Sequence, residues 1–137
     1  MNERSGYFEH GADIGVIGRG TTPEAAFEGA AEAAFAIMTD LAQVAPAQSI
    51  AFEFEEADLE LALVTWLNQL IGRARDAGLA LGRFRLSRAG ARWTGGADGE
   101  PWRESLTRGT EVKGATLTML RVEQTPAGWE ARCVVDV

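Results

Sequence analysis

The stretch "EHGADIGVIGRGTTPEAAFEGAAEAAFAIMTD", residues 9–40, carries the reading on which the fold turns. Its first part, residues 9–20, is strand-like, with small and β-branched residues around one carboxylate, Asp13. The residues before it read as an unstructured start. The second part is a helix. Thr22 is a good N-cap, Pro23 fits the first helical position, and Glu24 suits the positive end of the helix dipole. Ala26, Phe27, Ala30, Ala31, Ala34, Phe35 and Met38 fall on one face at helical spacing. That face is mostly alanine, so the helix can lie close to whatever it covers.

A second helix is predicted after Asp58, its N-cap, through "LELALVTWLNQLIGRARDA" to a stop at Gly78. Leu59, Leu63, Trp66, Leu67, Leu70, Ile71 and Ala74 form its apolar stripe. Asn68 and Gln69 read as a solvated or capping pair. The remaining chain reads as strands. In "SIAFEFEE", residues 49–56, Ile50, Phe52 and Phe54 alternate with Ala51, Glu53 and Glu55, the pattern of a half-buried strand. "LALGRFRLSRA" and "ARWTGG" read as neighbours. "EVKGATLTMLRVEQ" and "GWEARCVVDV" flank the turn "TPAG" as a hairpin. Residues 94–110 read as a mobile loop with one short strand. Strands before, between and after two separated helices predict an α+β fold. We expect a two-layer sandwich, with both helices on one face of a mixed or antiparallel sheet.

At 137 residues the chain is expected to form one domain, 1–137. Hydrophobic residues are 46% and charged residues 24%, ordinary for a soluble globular protein. No apolar run approaches the roughly 18 residues of a membrane span, and residues 1–10 have no signal-like apolar segment. A cytoplasmic location is the expectation. One cysteine, Cys133, excludes an intramolecular disulfide, and one histidine, His10, excludes a zinc site of several histidines. A net charge of −7 matches nucleic-acid phosphate poorly, so no direct RNA binding is expected. Cations or a basic protein surface suit it better.

The chemistry that the residues suggest centres on two aspartates. Asp13 and Asp136 each stand in a strand-like segment among small or apolar residues. A carboxylate at a strand end beside glycine leaves room for oxygen donors and water around a hard cation such as Ca²⁺ or Mg²⁺. Val137 follows Asp136 and brings a terminal carboxylate one residue away. The alternative is that each aspartate is a turn former. His10 either orients Asp13 or is an ordinary hydrogen-bonded residue, and Lys113 either pairs with a site carboxylate or is solvated. "GRGTTP" before the first helix lacks the lysine of a phosphate loop and reads as a capping turn.

Four segments together resemble the archease family. "HGADIGVIGRGTTPEAAFEGAAEAAFAIMTD" is similar to its opening strand and helix, and "VTWLNQLIGRARDAGLAL" to its second helix, with Gln69 in place of a glutamate. "EVKGATLTMLRVE" resembles its lysine-bearing strand and "GWEARCVVDV" its terminal strand. Gly11 stands where the family has threonine, and two family histidines are missing, one near Thr118 and one near Leu106 or Thr107. The resemblance implies a small accessory protein, not itself an enzyme, that activates the RtcB-type RNA ligase. It would promote ligase guanylylation and multiple turnover in tRNA splicing or RNA repair. It also implies a divalent cation, Ca²⁺ as the type ion with Mg²⁺ or Mn²⁺ as alternatives, held by Asp13, Asp136 and a Val137 oxygen. His10 and Lys113 are secondary candidates. Competing readings are a chaperone-like or regulatory module for another nucleic-acid enzyme, and a small metal-dependent hydrolase.

Overall fold

The computed structural model describes residues 4–137. The chain runs β1 (Ser5–His10), β2 (Asp13–Gly20), α1 (Pro23–Ala36), a 3-10 turn at Leu41–Gln43, β3 (Gln48–Glu55) and α2 (Leu59–Ala77). It continues through β4 (Leu79–Ala89), β5 (Arg92–Pro101), β6 (Gly114–Ala115), β7 (Arg121–Thr125) and β8 (Gly128–Asp136).

The helix ends follow from the capping residues. The Thr22 side chain accepts from the Ala25 amide, and that of Asp58 from the Leu61 amide. Gly78 closes α2 in the left-handed region, at φ 69°, where glycine carries no Cβ penalty. Every strand pairing is antiparallel. The expected α+β arrangement therefore holds, with the strands divided between two sheets. One has the order β1-β2-β8-β6, with β7 also on β8; the other has the order β3-β5-β4.

Both helices pack on these sheets. On β2, the core face presents Val16 and Gly18 to α1. A Cβ placed on residue 18 would lie 1.9 Å from the Ala26 carbonyl oxygen and 2.2 Å from the Ala30 nitrogen. The alanine face thus lets the helix backbone rest directly on the strand. The indole of Trp66 on α2 donates to the Phe27 carbonyl of α1 at 2.9 Å. Phe27 stacks on Trp93 of β5 at 5.1 Å, and Trp93 on Phe54 of β3 at 5.9 Å. Aromatic packing thereby joins both helices to the three-stranded sheet.

Three expectations change. The segment before residue 9 is not unstructured within the described residues: Ser5–His10 is β1, hydrogen-bonded to β2. Residues 94–101 belong to a ten-residue strand, β5. The chain after it is sutured rather than loose. Arg103 Nε donates to Glu100 at 2.6 Å, and the Glu100 carboxylate also accepts from the Ala45 amide. These bonds, that of Arg103 first, hold the Glu100 carboxyl below the usual carboxylate range. Thr39 donates to the Thr107 carbonyl, and the Gly109 amide to the Met38 carbonyl. Finally, the strand expected over residues 111–124 is interrupted. From Ala115↔Val135 to Arg121↔Arg132, β8 advances three residues and its partner six. Residues 116–120 therefore bulge out between β6 and β7.

Two glycines separate close approach from open space. Gly18→Ala forces a Cβ into helix backbone, and we expect a loss of about 3 kcal/mol, roughly 10 °C in Tm. Gly72, inside α2, has nothing within 4 Å of a built Cβ. Gly72→Ala should instead stabilise by about 0.5–1 kcal/mol. Thermal melts of the two variants check both signs.

Candidate functional site

The predicted site residues lie on adjacent strand ends. His10 and Asp13 flank a two-residue hairpin turn, Gly11-Ala12, and are directly paired across it. Gly11 has φ 62°, whereas Ala12 is not among the positive-φ residues. That combination, glycine at the first central position, is the type II′ pattern that matches strand twist. The convergence of His10 with Asp13 is thus a property of a hairpin, not of one bent strand. Opposed residues of an antiparallel pair share a face, so the two side chains stand side by side.

Strand β8 brings in the second aspartate. Its pairing with β2 reaches Ile14↔Val135, and the next step along each strand is Asp13 and Asp136. On the other edge of β8, Gly114 of β6 pairs with Asp136, and the Lys113 amide donates to the Asp136 carbonyl at 2.8 Å. The order β1-β2-β8-β6 therefore sets His10, Asp13, Asp136 and Gly114 in a row across one sheet end, with Lys113 one step beyond it. Lys113 meets this row through its main chain. Its carbonyl accepts from Arg75 at 3.0 Å. Val137 continues β8, and its side chain packs against the core. His10, Asp136 and Lys113 are exposed, and Asp13 is half-buried. Among the described residues, no group of three or more His, Cys, Asp and Glu side chains is arranged to hold a metal ion. The donor set at this end is two aspartates with nearby main-chain oxygens.

Cys133 lies on the core face of β8, fully buried. Burial pushes its thiol up to about 12, which removes it as a nucleophile at neutral pH. A mostly apolar cavity of about 330 Å³ lies between α2, β4 and residues 102–112, and none of the site residues above lines it.

One functional neighbour was misread in the sequence. Asn68 is exposed, as a solvated residue would be, but its side chain is engaged. Its Oδ1 accepts from the Ala115 amide at 2.8 Å and its Nδ2 donates to the Ala115 carbonyl at 3.2 Å. The side chain imitates a strand edge and holds β6, the strand beside Asp136, onto α2. An uncharged side chain with both a donor and an acceptor, next to the apolar stripe of a helix, was the available signal.

These features define a class: an α+β chain whose first hairpin and last strand are joined so that two carboxylates share one sheet end. The model of the archease protein family matches residues 6–137, and the chain belongs to that family. It is 38% identical to the protein archease of Thermococcus gammatolerans over 137 residues, 96% of each chain. It is 35% identical to that of Thermococcus kodakarensis, again over 96% of each. The solution structure of protein 1598 of Methanobacterium thermoautotrophicum superposes with TM-score 0.81 at 28% identity, covering 98% of this chain and 99% of that one. The crystal structure of a Thermotoga maritima protein, described as "an archease, possible chaperone", shares the fold with TM-score 0.67 at 20% identity, covering 95% and 94%. No helix among the described residues is long and apolar enough to cross a membrane.

The Asn68 clasp has a local readout. Asn68→Ala should cost about 1 kcal/mol, because the two bonds lie near solvent. It should also raise the hydrogen-exchange rate of the Ala115 amide at least tenfold, leaving β2 amides unchanged.

Proposed function

We propose that this protein is a metal-binding accessory factor that activates an RtcB-type RNA ligase, promoting ligase guanylylation and repeated turnover in tRNA splicing or RNA repair. The observation that carries this reading is the placement of Asp13 and Asp136 on consecutive strand ends of a family fold. Neither carboxylate is part of the buried core. Their pairing makes sense if a cation lies between them.

Oxygen donors suit a hard ion, Ca²⁺ or alternatively Mg²⁺ or Mn²⁺, that keeps part of its water shell. Asp13, Asp136 and a Val137 oxygen would hold it, with His10 orienting Asp13 from across the hairpin. Bound there, the ion neutralises the pair. The acidic chain, of net charge −7, then presents this end to a basic protein surface rather than to RNA. The chemistry of GTP and RNA stays with the ligase, in the cytoplasm. A second reading is a chaperone-like or regulatory module for another nucleic-acid enzyme; the Thermotoga maritima neighbour is itself described as a possible chaperone.

The test compares wild type, Asp13→Asn and Asp136→Asn in three assays: Ca²⁺ calorimetry, thermal melting, and guanylylation of the ligase from the same source. Both variants should melt at or slightly above wild type without metal, by about 1 kcal/mol at most. Both should lose at least tenfold in Ca²⁺ affinity and in stimulated guanylylation. Variants that bind Ca²⁺ and stimulate like wild type would remove the aspartates from the function.

A further inference from the structure

Among the described residues four large hydrophobics are exposed: Tyr7, Leu61, Leu117 and Met119. Three of them belong to one place. The bulge between β6 and β7 is pinned at both ends to α2. At one end Asn68 clasps Ala115; at the other the Val122 amide donates to Glu60 Oε2 at 3.3 Å. Residues 116–121 therefore run back along the helix from position 68 to position 60, a span of about 12 Å at helical rise. Leu61 lies on α2 inside that span, exposed at 44%. Leu117 and Met119, at 65% and 53%, are the outward hydrophobic residues of the bulge, while Leu120, its last residue, packs against the core.

The bulge is held, not frayed. Thr116 donates by amide and hydroxyl to the Val134 carbonyl, and the Val134 amide donates to the Thr118 carbonyl. Within it Met119 has φ 53°, and no other described non-glycine residue has positive φ. A bulky side chain in the left-handed region is disfavoured, and such outliers gather where the backbone serves to aim a side chain. Here it aims a thioether at solvent. Methionine is a flexible, polarizable contact residue well suited to a protein surface.

The border of this patch is predominantly acidic, with the exposed Lys113 beside Gly114 as a cation within it. Asp136 pairs with Gly114 just before the bulge, with Asp13 beyond it. Glu56, Asp58 and Glu60 surround the start of α2. Arg121, after the bulge, is engaged by Glu123 at 3.6 Å. Two copies of this chain, each at −7, would oppose their acidic borders. Anionic lipid headgroups would repel them as well. A basic-rimmed protein socket would not.

We infer that Leu61, Leu117 and Met119 form the apolar centre of the surface by which this protein seats on its ligase, in an apolar socket bordered by Lys and Arg. This rests on the ligase reading above and extends it: the carboxylate end is one margin of the contact, and the bulge is its anchor. Apolar anchors ringed by complementary charge are the usual anatomy of a specific interface.

The test measures binding of the full chain to the purified ligase from the same source, with Ca²⁺ present. Leu117→Ser/Met119→Asn removes both bulge anchors, and asparagine tolerates the left-handed backbone. Leu61→Ser probes the same surface from a different element. The double variant should bind at least tenfold more weakly and Leu61→Ser at least threefold, with unchanged Tm and unchanged Ca²⁺ affinity. Wild-type affinity should fall as salt rises. If wild type binds and the variants bind within twofold of it, the patch is not the anchor while the ligase reading stands. If the variants lose only self-association, the occupant is a second copy and the inference is overturned. If wild type neither binds nor stimulates the ligase, the ligase reading fails and this inference falls with it.

Discussion

Strand β2 can lie beneath helix α1 because residue 18, and Gly20 after it, carry no side chain. A built Cβ at residue 18 would stand 1.9 Å from the Ala26 carbonyl oxygen, closer than any real contact allows. The helix answers with alanine at positions 26, 30, 31, 33 and 34, all fully buried. Strand β1 is drawn to the same helix: the Tyr7 hydroxyl donates to the Ala33 carbonyl, and the Ser5 hydroxyl to the Gly29 carbonyl, each at 2.9 Å. With β2 fixed under the helix and β1 on one edge, its other edge is free for the last strand. The pairing of β2 with β8 then joins the beginning and the end of the chain.

The acidic end is a consequence of that pairing. Register alone decides that the residue after Ile14↔Val135 on each strand is an aspartate. A slip of one residue would turn every β8 side chain to the other face and bury Glu130, Arg132 and Asp136 in place of Ala131, Cys133 and Val135. The buried set therefore enforces the register, and the register places the carboxylates. The same strand carries β6 and β7 on its outer edge, so the bulged apolar residues and the aspartates are positioned by one element. In this way a core made for packing sets the geometry of a surface made for contact.

Much of this was legible in the sequence because its causes are local. Thr22-Pro23, Asp58 and Gly78 mark helix ends by capping chemistry, and all three do so in the structure. The alternation of Ile50, Phe52 and Phe54 marks β3 because one face of that strand is buried. What was missed has non-local causes. The glycines of β5 look like loop residues, yet they are there for close approach. A Cβ at Gly95 would meet the Trp66 ring at 2.7 Å, and one at Gly99 the Ala80 carbonyl oxygen at 2.0 Å. The His10-Gly11-Ala12-Asp13 turn needs only one glycine, so residues 9–20 read as a single strand and the rest of β1 as an unstructured start. Residues 102–110 are tied down by partners some 60 positions away, such as Gln43 for Thr107, which no local pattern announces. The aspartates themselves were visible, but spacing alone favoured a turn former over a ligand. The resemblance singled them out, and the sheet order then set them side by side.

The central claim is that the sheet end shared by Asp13 and Asp136 is where a divalent cation acts. Amide chemical-shift mapping during a Ca²⁺ titration of the ¹⁵N-labelled protein tests it most directly. The account predicts saturable shifts confined to the ends of three strands, at Ile14, Gly15, Val135, Asp136 and Gly114, and their loss in Asp13→Asn. Shifts centred instead on the acidic start of α2, at Glu56, Asp58 and Glu60, or no saturable shift at all, would contradict it.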